Sequence, residues 1–370
     1  MKLNMSIAKQ IRLQVFLFCA VLTLGACKKD QTLPPPLVPA VPSTAVSVDL
    51  NSEPYAKLSD YRFFVGDMKE HTPNEGVLPY EPISSLFTDY AKKKRFVWMP
   101  EGVSANYVAD EEILDLPVGS ALIKTFYYDN VLPGDVTRIM ETRIMIRKSA
   151  GWVFAEYVWN EEQTEAFLQM DGSYQNVSWV RNGTTMSANY RLPSGTECLI
   201  CHKFQSNPIP IGIKPQNLNK SLEYADGNMN QLEKWMSMGY LDGPIPSNIV
   251  TTVNYLDESK PLKERLRSYL DINCAHCHQE NSHCDYRPMR LAFSETESSE
   301  NIGVCVPPDE FINASLINIV TPNNVSKSMM HFRLSSAEES SRMPLLGRTL
   351  VHQEGVDLLT QYIESITDCD

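Results

Sequence analysis

Two copies of one short pattern constrain this chain more than any other feature of its sequence. They are Cys198-Leu-Ile-Cys201-His202 and Cys274-Ala-His-Cys277-His278. Two thiols three residues apart on a helical turn can bond to the two vinyl groups of one haem, and the histidine that follows can ligate the iron. The sequence therefore predicts two covalently attached c-type haems, with the four cysteines as attachment points and with His202 and His278 as proximal iron ligands.

The same cysteines fit three other kinds of site. Two Cys-x-x-Cys pairs can hold one zinc ion, but a compact zinc ribbon requires neither the histidines nor so wide a separation. A thioredoxin-like redox pair needs a single motif in a β-α-β setting. Two structural disulfides would leave the adjacent histidines unexplained. Haem attachment is therefore the interpretation that accounts for every residue of both motifs.

Residues 1–26 are typical of an export signal. They contain three basic residues and no acidic one, and an apolar stretch at residues 13–24 ends just before Cys27. This stretch is too short to span about 30 Å of hydrocarbon as a helix, so we expect cleavage rather than a permanent transmembrane anchor. Residues 24–27 resemble the bacterial lipoprotein cleavage box, in which the cysteine becomes the lipidated first residue. Cys27 is therefore the predicted lipidation site, and ordinary secretion with cleavage nearby is the alternative.

The remainder of the chain divides into four predicted segments. Residues 27–46 are rich in proline and form a lipidated tether. Residues 47–195 contain short apolar runs broken by Pro, Gly, Asn and Asp, which predict a β-rich domain. Residues 196–256 form the first haem-attachment segment, and residues 257–370 form a cytochrome c domain.

Within these segments, local patterns predict individual elements. Residues 116–128, 138–147 and 152–159 are rich in β-branched and aromatic side chains and should form neighbouring antiparallel strands. Apolar residues at helical spacing predict helices at residues 263–272 and 356–366. The predicted fold class is α+β multidomain, with a β-rich N-terminal domain followed by a mostly α-helical cytochrome c domain.

The setting of the second motif resembles the small helical cytochrome c fold. A predicted helix ends at this motif, the pair Met343-Pro344 follows later, and another predicted helix closes the chain. In that fold the first and last helices cross, and a loop brings a methionine sulfur to the iron. The resemblance implies that Met343 is the distal ligand of the haem on His278, which would raise the reduction potential. Core filling is the other role open to a single methionine.

The sequence leaves the distal ligand of the first haem open. The candidates are Met229, Met236, Met238, His71 and Met186. An unoccupied sixth position is the remaining alternative. The β-rich segment that ends in the first motif resembles β-sheet c-type haem proteins that oxidise hydroxylamine or bind small gases, and an open iron would permit catalysis. A lysine cross-links the porphyrin in those proteins, and the resemblance does not assign that role to Lys124.

Short motifs along residues 50–366 resemble a family of bacterial diheme c-type cytochrome lipoproteins. The matching stretches are residues 86–92, 117–119, 157–160, 198–202, 230–232, 273–278, 303–305 and 343–344. The resemblance implies two haems and an exported protein that is anchored to a membrane, and it implies no substrate. Only the haem motifs are specific enough to assign roles to residues.

Three cysteines remain once the haem motifs, the export signal and the lipid site are accounted for. We expect a Cys284–Cys305 disulfide that pins the insertion after the second haem, because the predicted compartment is oxidising. A Cys305–Cys369 disulfide is the next alternative. His276 and His283 lie beside a haem motif, and we expect both to be solvated.

The charge balance restricts the partners of the protein. The chain has 33 Lys and Arg residues against 45 Asp and Glu residues, a net charge of -12, and loss of residues 1–26 would leave 30 against 45, a net charge of -15. Such an acidic surface is unsuited to binding nucleic acid. It fits redox proteins with basic docking surfaces, and we expect their binding to weaken as the salt concentration rises.

We therefore expect an exported electron-transfer protein with two haems. Its lipid anchor would hold it at the periplasmic or outer face of a bacterial membrane. The alternative is a haem enzyme in which an open first iron acts on a small molecule and the second haem relays electrons.

Overall fold

The computed structural model describes residues 45–52, 54–310 and 312–369. The predicted signal peptide, the lipid site at Cys27 and almost all of the predicted tether lie outside these residues. The fold therefore does not test the predictions about export and lipidation.

Fourteen strands are present in the described part of the chain. In chain order they are β1 (Phe64–Val65), β2 (Thr72–Pro73), β3 (Leu78–Pro79), β4 (Lys92–Trp98), β5 (Ala121–Val131), β6 (Val136–Lys148), β7 (Gly151–Trp159), β8 (Ala166–Leu168), β9 (Asp171–Arg181), β10 (Thr184–Ser194), β11 (Lys203–Phe204), β12 (Asn207–Pro208), β13 (Ser221–Tyr224) and β14 (Gly227–Asn230). The three predicted strands are confirmed as β5, β6 and β7.

Eight of these strands form one antiparallel sheet. Strands β3 to β8 are neighbours in chain order, and the hairpin of β9 and β10 joins the end of β5, where Val131 pairs with Trp179. The pairs β1–β2, β11–β12 and β13–β14 form three small separate sheets. Antiparallel strands that follow each other in the chain can be joined by short turns. Turn-forming residues lie between the three predicted strands, as this arrangement requires.

The two faces of the large sheet contribute to different apolar cores. Ile123 on β5 points to one face, into a core with Phe63 from the N-terminal segment. Leu122 points to the other face, into a core with Trp235 from the segment after β14. Side chains alternate between the faces of a strand, so every second residue of β4 to β7 faces the segment that carries the first haem motif.

The described part of the chain contains fewer helices than strands. The helices are α1 (Gly195–Cys201), α2 (Pro215–Leu218), α3 (Gln231–Ser237), α4 (Leu262–Leu270), α5 (Ser299–Ile302), α6 (Met329–Ser335) and α7 (Gln353–Ser365), together with 3-10 turns at Leu58–Tyr61, Met68–Glu70 and Val325–Lys327 and a π-helical turn at Asp271–Ala275. Within the described residues, no helix has the length and apolar character needed to cross a membrane.

The prediction of a β-rich N-terminal domain followed by a mostly α-helical cytochrome c domain is wrong. Strands hold 28% and helices hold 20% of the residues that the structure describes, and helices cover less than half of residues 257–370. The two helices predicted there are present as α4 and α7. Several prolines interrupt the chain between them, and proline removes a main-chain donor and clashes with the preceding helical turn. Helical periodicity therefore does not extend beyond two isolated stretches.

The disulfide also differs from the expected one. Cys305 is bonded to Cys369, with 5.6 Å between their Cα atoms, and Cys284 is a buried free thiol. The expected Cys284–Cys305 pairing is therefore wrong, and the second alternative is the one found. Helix α7 ends four residues before Cys369 and returns the C-terminal segment to Cys305, a path that cysteine spacing alone does not reveal.

The loop before β4 joins the sheet to the C-terminal part of the chain. The main-chain N–H of Phe87 donates to Asn273 Oδ1 at 2.8 Å, and the Phe87 ring stacks on His352 at 4.0 Å between centroids. The hydroxyl of Tyr90 donates to Glu354 Oε2 at 2.9 Å. The described residues form one compact unit, and the predicted internal domain boundaries stay predictions.

Candidate functional site

The first motif lies on helix α1, whose start is fixed by a capping box. The hydroxyl of Ser194 accepts a hydrogen bond from the main-chain N–H of Glu197, and the Glu197 carboxylate accepts one from the N–H of Ser194. This exchange satisfies two donors that a helix start leaves free. It holds Cys198 and Cys201 three residues apart on one helix, with His202 directly at the C-terminal end.

The imidazole of His202 is oriented for metal ligation. Its Nδ1 lies 2.9 Å from the main-chain oxygen of Ile209. A carbonyl oxygen can only accept, so Nδ1 carries the proton and Nε2 is left as the free ligand atom. Phe154 packs against the ring at 5.3 Å between centroids. Burial lowers the pKa of His202 to about 4, so the ring is neutral at pH 7, the state that binds a metal.

The second motif begins in the π-helical turn that follows α4. The side chain of Asn273 fixes this turn, since its Nδ2 donates to a carbonyl of α4 and its Oδ1 accepts from the loop before β4. Cys274 lies in the turn, and Cys277 and His278 follow it. Burial lowers the pKa of His278 to about 4. His202 and His278, the last residues of the two motifs, are therefore neutral at pH 7.

A cavity of about 1190 Å³, including its open mouth, lies beside the second motif. We call it the second cavity. Its lining holds both thiols of the motif, together with His278 and Met343. Most of the remaining wall is apolar, with Leu266, Leu270, Leu291, Ile319, Leu334 and Leu359. An imidazole and a thioether are the ligand types that the sequence predicts for the second haem. The fold therefore brings the two ligands expected for the second haem to the same cavity.

A separate cavity of about 1440 Å³, including its open mouth, lies beside the first motif. We call it the first cavity. Its lining holds Cys198, Cys201 and His202. The opposite part of the lining comes from one face of β4 to β7 and includes the charged residues Arg95, Lys124, Arg143 and Glu156. The second cavity also has charged side chains in its lining, namely Arg287, Asp309, Glu310 and Arg333.

None of the five predicted candidates for the distal ligand of the first haem lines the first cavity within the described residues. His71 is buried in the core on the opposite face of the sheet, and Met186 packs against the core of β9 and β10. Met236 packs against the core that contains Leu122, and Met229 and Met238 are exposed. The sequence suggested these residues as ligands, but the packing places each of them outside the first cavity.

The two cavities meet where the two motifs approach each other. Cys201 and His276 line both cavities. The donor atoms of Cys201, His276 and Cys277 lie within 4.8 Å of one another. A hydrogen bond between the two thiols lowers the pKa of Cys201 and raises the pKa of Cys277. His276 was expected to be solvated; it is half-buried, and its buried Nδ1 has no hydrogen-bond partner among the described residues.

The donor set of the two cavities fits covalent haem. The four thiols form no disulfide with one another, the imidazoles of His202 and His278 are neutral, and each cavity adjoins one complete motif. The cluster of Cys201, His276 and Cys277 also consists of the ligand types that bind zinc, whereas closed structural zinc sites take four ligands. Two haems would use all four motif cysteines together with His202 and His278. A metal ion bound by the cluster would use only Cys201 and Cys277 from this set.

Sequence reasoning missed several residues that shape the cavities. Glu156 and Arg143 lie on strands whose sequence predicts ordinary β-structure. A charged residue at a position where the strand pattern predicts burial could have identified them. Arg348 is almost fully buried, at 2% exposure, next to the loop that carries Met343. A buried arginine requires many acceptors, and no sequence pattern identifies main-chain acceptors in advance.

Comparison of the chain with protein-family models, with curated proteins and with solved structures found no match.

Proposed function

We propose that the protein is a c-type cytochrome that transfers single electrons through two covalently attached haems. The observation that carries the proposal is the meeting of the two cavities at Cys201 and His276, with Cys277 close by. Haems attached at Cys201 and Cys277 would be bonded to sulfurs that lie within 4.8 Å of each other. For electron exchange between closely spaced cofactors, the protein needs only to ligate the cofactors, bury them and set the distance between them.

The second haem would have His278 and Met343 as its axial ligands. The shared cavity and the apolar lining support this assignment. A thioether ligand and a low dielectric both favour ferrous iron, so the second haem would have the higher potential. In an electron-transfer chain this haem would be the acceptor within the pair.

A haem enzyme is the second candidate function, and one observation favours it. Within the described residues, no predicted distal ligand lines the first cavity, and its wall is charged. His276, Lys124 and Met145 do line this cavity, so an iron held by His202 would keep a position for a small molecule if none of these three side chains ligates it. The second haem would relay the electrons of that reaction.

The place of the protein in the cell is a proposal from the sequence alone. Cys27 would carry the lipid and hold the protein at the periplasmic or outer face of a bacterial membrane. Basic redox proteins would be its partners because of its acidic surface. Mass spectrometry of the mature N-terminal peptide checks the anchor, since a diacylglycerol on Cys27 is expected and an unmodified N-terminus would contradict it.

Haem stoichiometry tests the proposed function. Protein matured in a cytochrome c-competent host should give two c-type haems per chain by the pyridine haemochrome assay. The count should fall to one in Cys274→Ala/Cys277→Ala and in Cys198→Ala/Cys201→Ala. The matched control is Cys284→Ala, which removes a nearby thiol outside the motifs and should keep two haems. A colourless protein that binds zinc in its place would overturn the proposal.

A further inference from the structure

The two motifs pack against each other closely enough to share one group of ligand atoms. The donor atoms of Cys201, His276 and Cys277 lie within 4.8 Å of one another. The sulfur of Cys277 also lies 3.5 Å from the main-chain oxygen of Ile200, the residue before Cys201 on helix α1. Among the described residues, no other group of three Cys, His, Asp or Glu side chains is spaced in this way. The group therefore results from the packing of the two motifs.

Haem attachment does not account for the position of His276. This residue lies between the two cysteines of the second motif, where haem attachment requires no histidine, and Ile200 is its counterpart in the first motif. The side chain of His276 is half-buried and hydrogen-bonds to Cys201. Its buried Nδ1 has no hydrogen-bond partner in the described part of the chain, which is unfavourable for a polar atom. An imidazole in this position points to a ligand other than haem.

Two thiols and one imidazole are ligand types of zinc. Each thiol binds the ion as a thiolate, so two protons leave when the ion enters. The two negative charges that remain on Cys201 and Cys277 balance the two positive charges of the ion, and the imidazole of His276 adds no charge. A site without net charge suits a half-buried position, because burial penalises an unbalanced charge.

The three ligands leave the fourth position of a tetrahedral ion open. Cys201 and His276 line both cavities, and Cys277 lines the second. Water can therefore reach an ion at this boundary through the mouth of a cavity. Zinc sites with two cysteines, one histidine and water in the fourth position are an established type. The protein therefore needs to supply no fourth ligand.

We propose that the chain that folds without haem binds one zinc ion at Cys201, His276 and Cys277. This inference goes beyond the proposed function and does not rest on it. Zinc and the two haems compete for the same two sulfurs, because a cysteine bonded to a haem vinyl group is a thioether and has no thiolate to offer. The haem-loaded protein therefore does not take up zinc at this site. A chain that has folded around zinc is in turn closed to haem attachment at both motifs.

Cobalt(II) titration of the haem-free chain tests the proposal, since cobalt is a coloured substitute for zinc. The mature chain is made without the haem attachment machinery and is kept reduced. We expect one cobalt per chain, with a thiolate-to-cobalt band in the near ultraviolet, visible bands typical of tetrahedral coordination, and displacement by one zinc. Near-ultraviolet circular dichroism reports folding in the same samples. A haem-free chain that stays unfolded with cobalt, or that binds none, overturns the proposal.

Single variants separate the three ligands from the rest of the two motifs. Cys201→Ser, Cys277→Ser and His276→Phe each remove one ligand and should weaken cobalt binding by on the order of 100-fold, because each ligand carries a share of the binding free energy. Cys198→Ser and Cys274→Ser remove the other cysteine of each motif and should bind cobalt as the wild type does. An equal loss of affinity in these two control variants would mean that a single motif binds the ion, and would overturn the shared site.

His276→Phe also separates this proposal from the proposed function. Haem attachment does not use this side chain, so His276→Phe matured in a cytochrome c-competent host should keep two haems. The matched control is His283→Phe, which replaces a histidine of the second cavity outside the ligand group and should bind cobalt normally. Equal cobalt affinity in wild type and His276→Phe overturns the zinc site and leaves the haem count untouched. A matured protein without haem overturns only the cytochrome.

Discussion

Arg348 donates two hydrogen bonds to the main-chain oxygen of Met343, from Nε at 3.1 Å and from Nη2 at 2.8 Å. The same guanidinium donates to the carbonyl of Leu350 at 3.0 Å. On the other side of this loop, the carboxylate of Asp89 accepts from the main-chain N–H groups of Thr349 and Leu350. The loop that carries Met343 is thus held by a buried arginine and by the loop before β4.

Replacement of Arg348 should loosen the proposed sulfur ligand. Arg348→Lys cannot reproduce several planar donors to carbonyl groups, so we expect a loss of about 2–4 kcal/mol in the free energy of unfolding. We also expect a weaker sulfur-to-iron absorption band and a lower potential of the second haem. Urea unfolding, absorption spectra and potentiometric titration measure these. Arg342→Lys, in the same loop, is the control and should leave the band intact.

Removal of the thioether itself should abolish the band. Met343→Ala should lose the charge-transfer absorption near the red end of the oxidised spectrum and lower the potential of that haem, because a soft sulfur ligand favours ferrous iron. Met330→Leu is the matched control, since Met330 lines the same cavity. If the band survives in Met343→Ala and disappears in Met330→Leu, the ligand has been assigned to the wrong methionine.

The disulfide should contribute measurably to stability. It closes a loop with a sequence separation of 64, and a loop of that length predicts a loss of about 4 kcal/mol when the bond is removed. The double variant Cys305→Ser/Cys369→Ser avoids a new free thiol, and urea unfolding measures the loss. Cys284→Ser should not reduce stability in this way. A non-reduced peptide map that links Cys284 to Cys305 would contradict the observed pairing.

Stability should fall in mild acid because of His71. Its Nδ1 donates to the carbonyl of Lys69 at 2.9 Å, its Nε2 accepts from the hydroxyl of Thr125, and burial lowers its pKa from 6.5 to about 4. Between these values the unfolded chain binds a proton that the folded chain does not, so stability is lost as pH falls. The loss should reach about 3 kcal/mol near pH 4.

His71→Gln tests that prediction, because an amide can keep both hydrogen bonds and does not titrate. Urea unfolding at pH 7 and at pH 4 should show a smaller acid loss in His71→Gln than in the wild type. The other histidines are common to both proteins and cancel in the difference. An identical acid loss in the two proteins would mean that His71 titrates normally in the folded state.

The local parts of the structure could be read from the sequence. Strands β5, β6 and β7 follow runs of β-branched and aromatic residues, and α4 and α7 follow apolar residues at helical spacing. Such patterns depend on neighbours a few residues apart, and the sequence contains that information directly. The prediction overestimated the helical content after α4, because it inferred a whole helical domain from two correctly predicted helices.

Long-range relationships could not be read in the same way. The contact between Cys201 and Cys277 and the pairing of Cys305 with Cys369 depend on how distant segments pack. Each of them brings together residues from separate elements, and no spacing rule encodes that path. The candidate distal ligands of the first haem failed for the same reason.

The approach of Cys201 to Cys277 sets a condition on how the protein is assembled. These sulfurs belong to different motifs, yet their donor atoms lie within 4.8 Å, and an oxidising compartment promotes disulfide formation between thiols held so close together. If the chain carries the proposed haems, folding before their attachment would make the two motifs liable to join to each other. Attachment would therefore have to precede folding, while the two pentapeptides are still far apart.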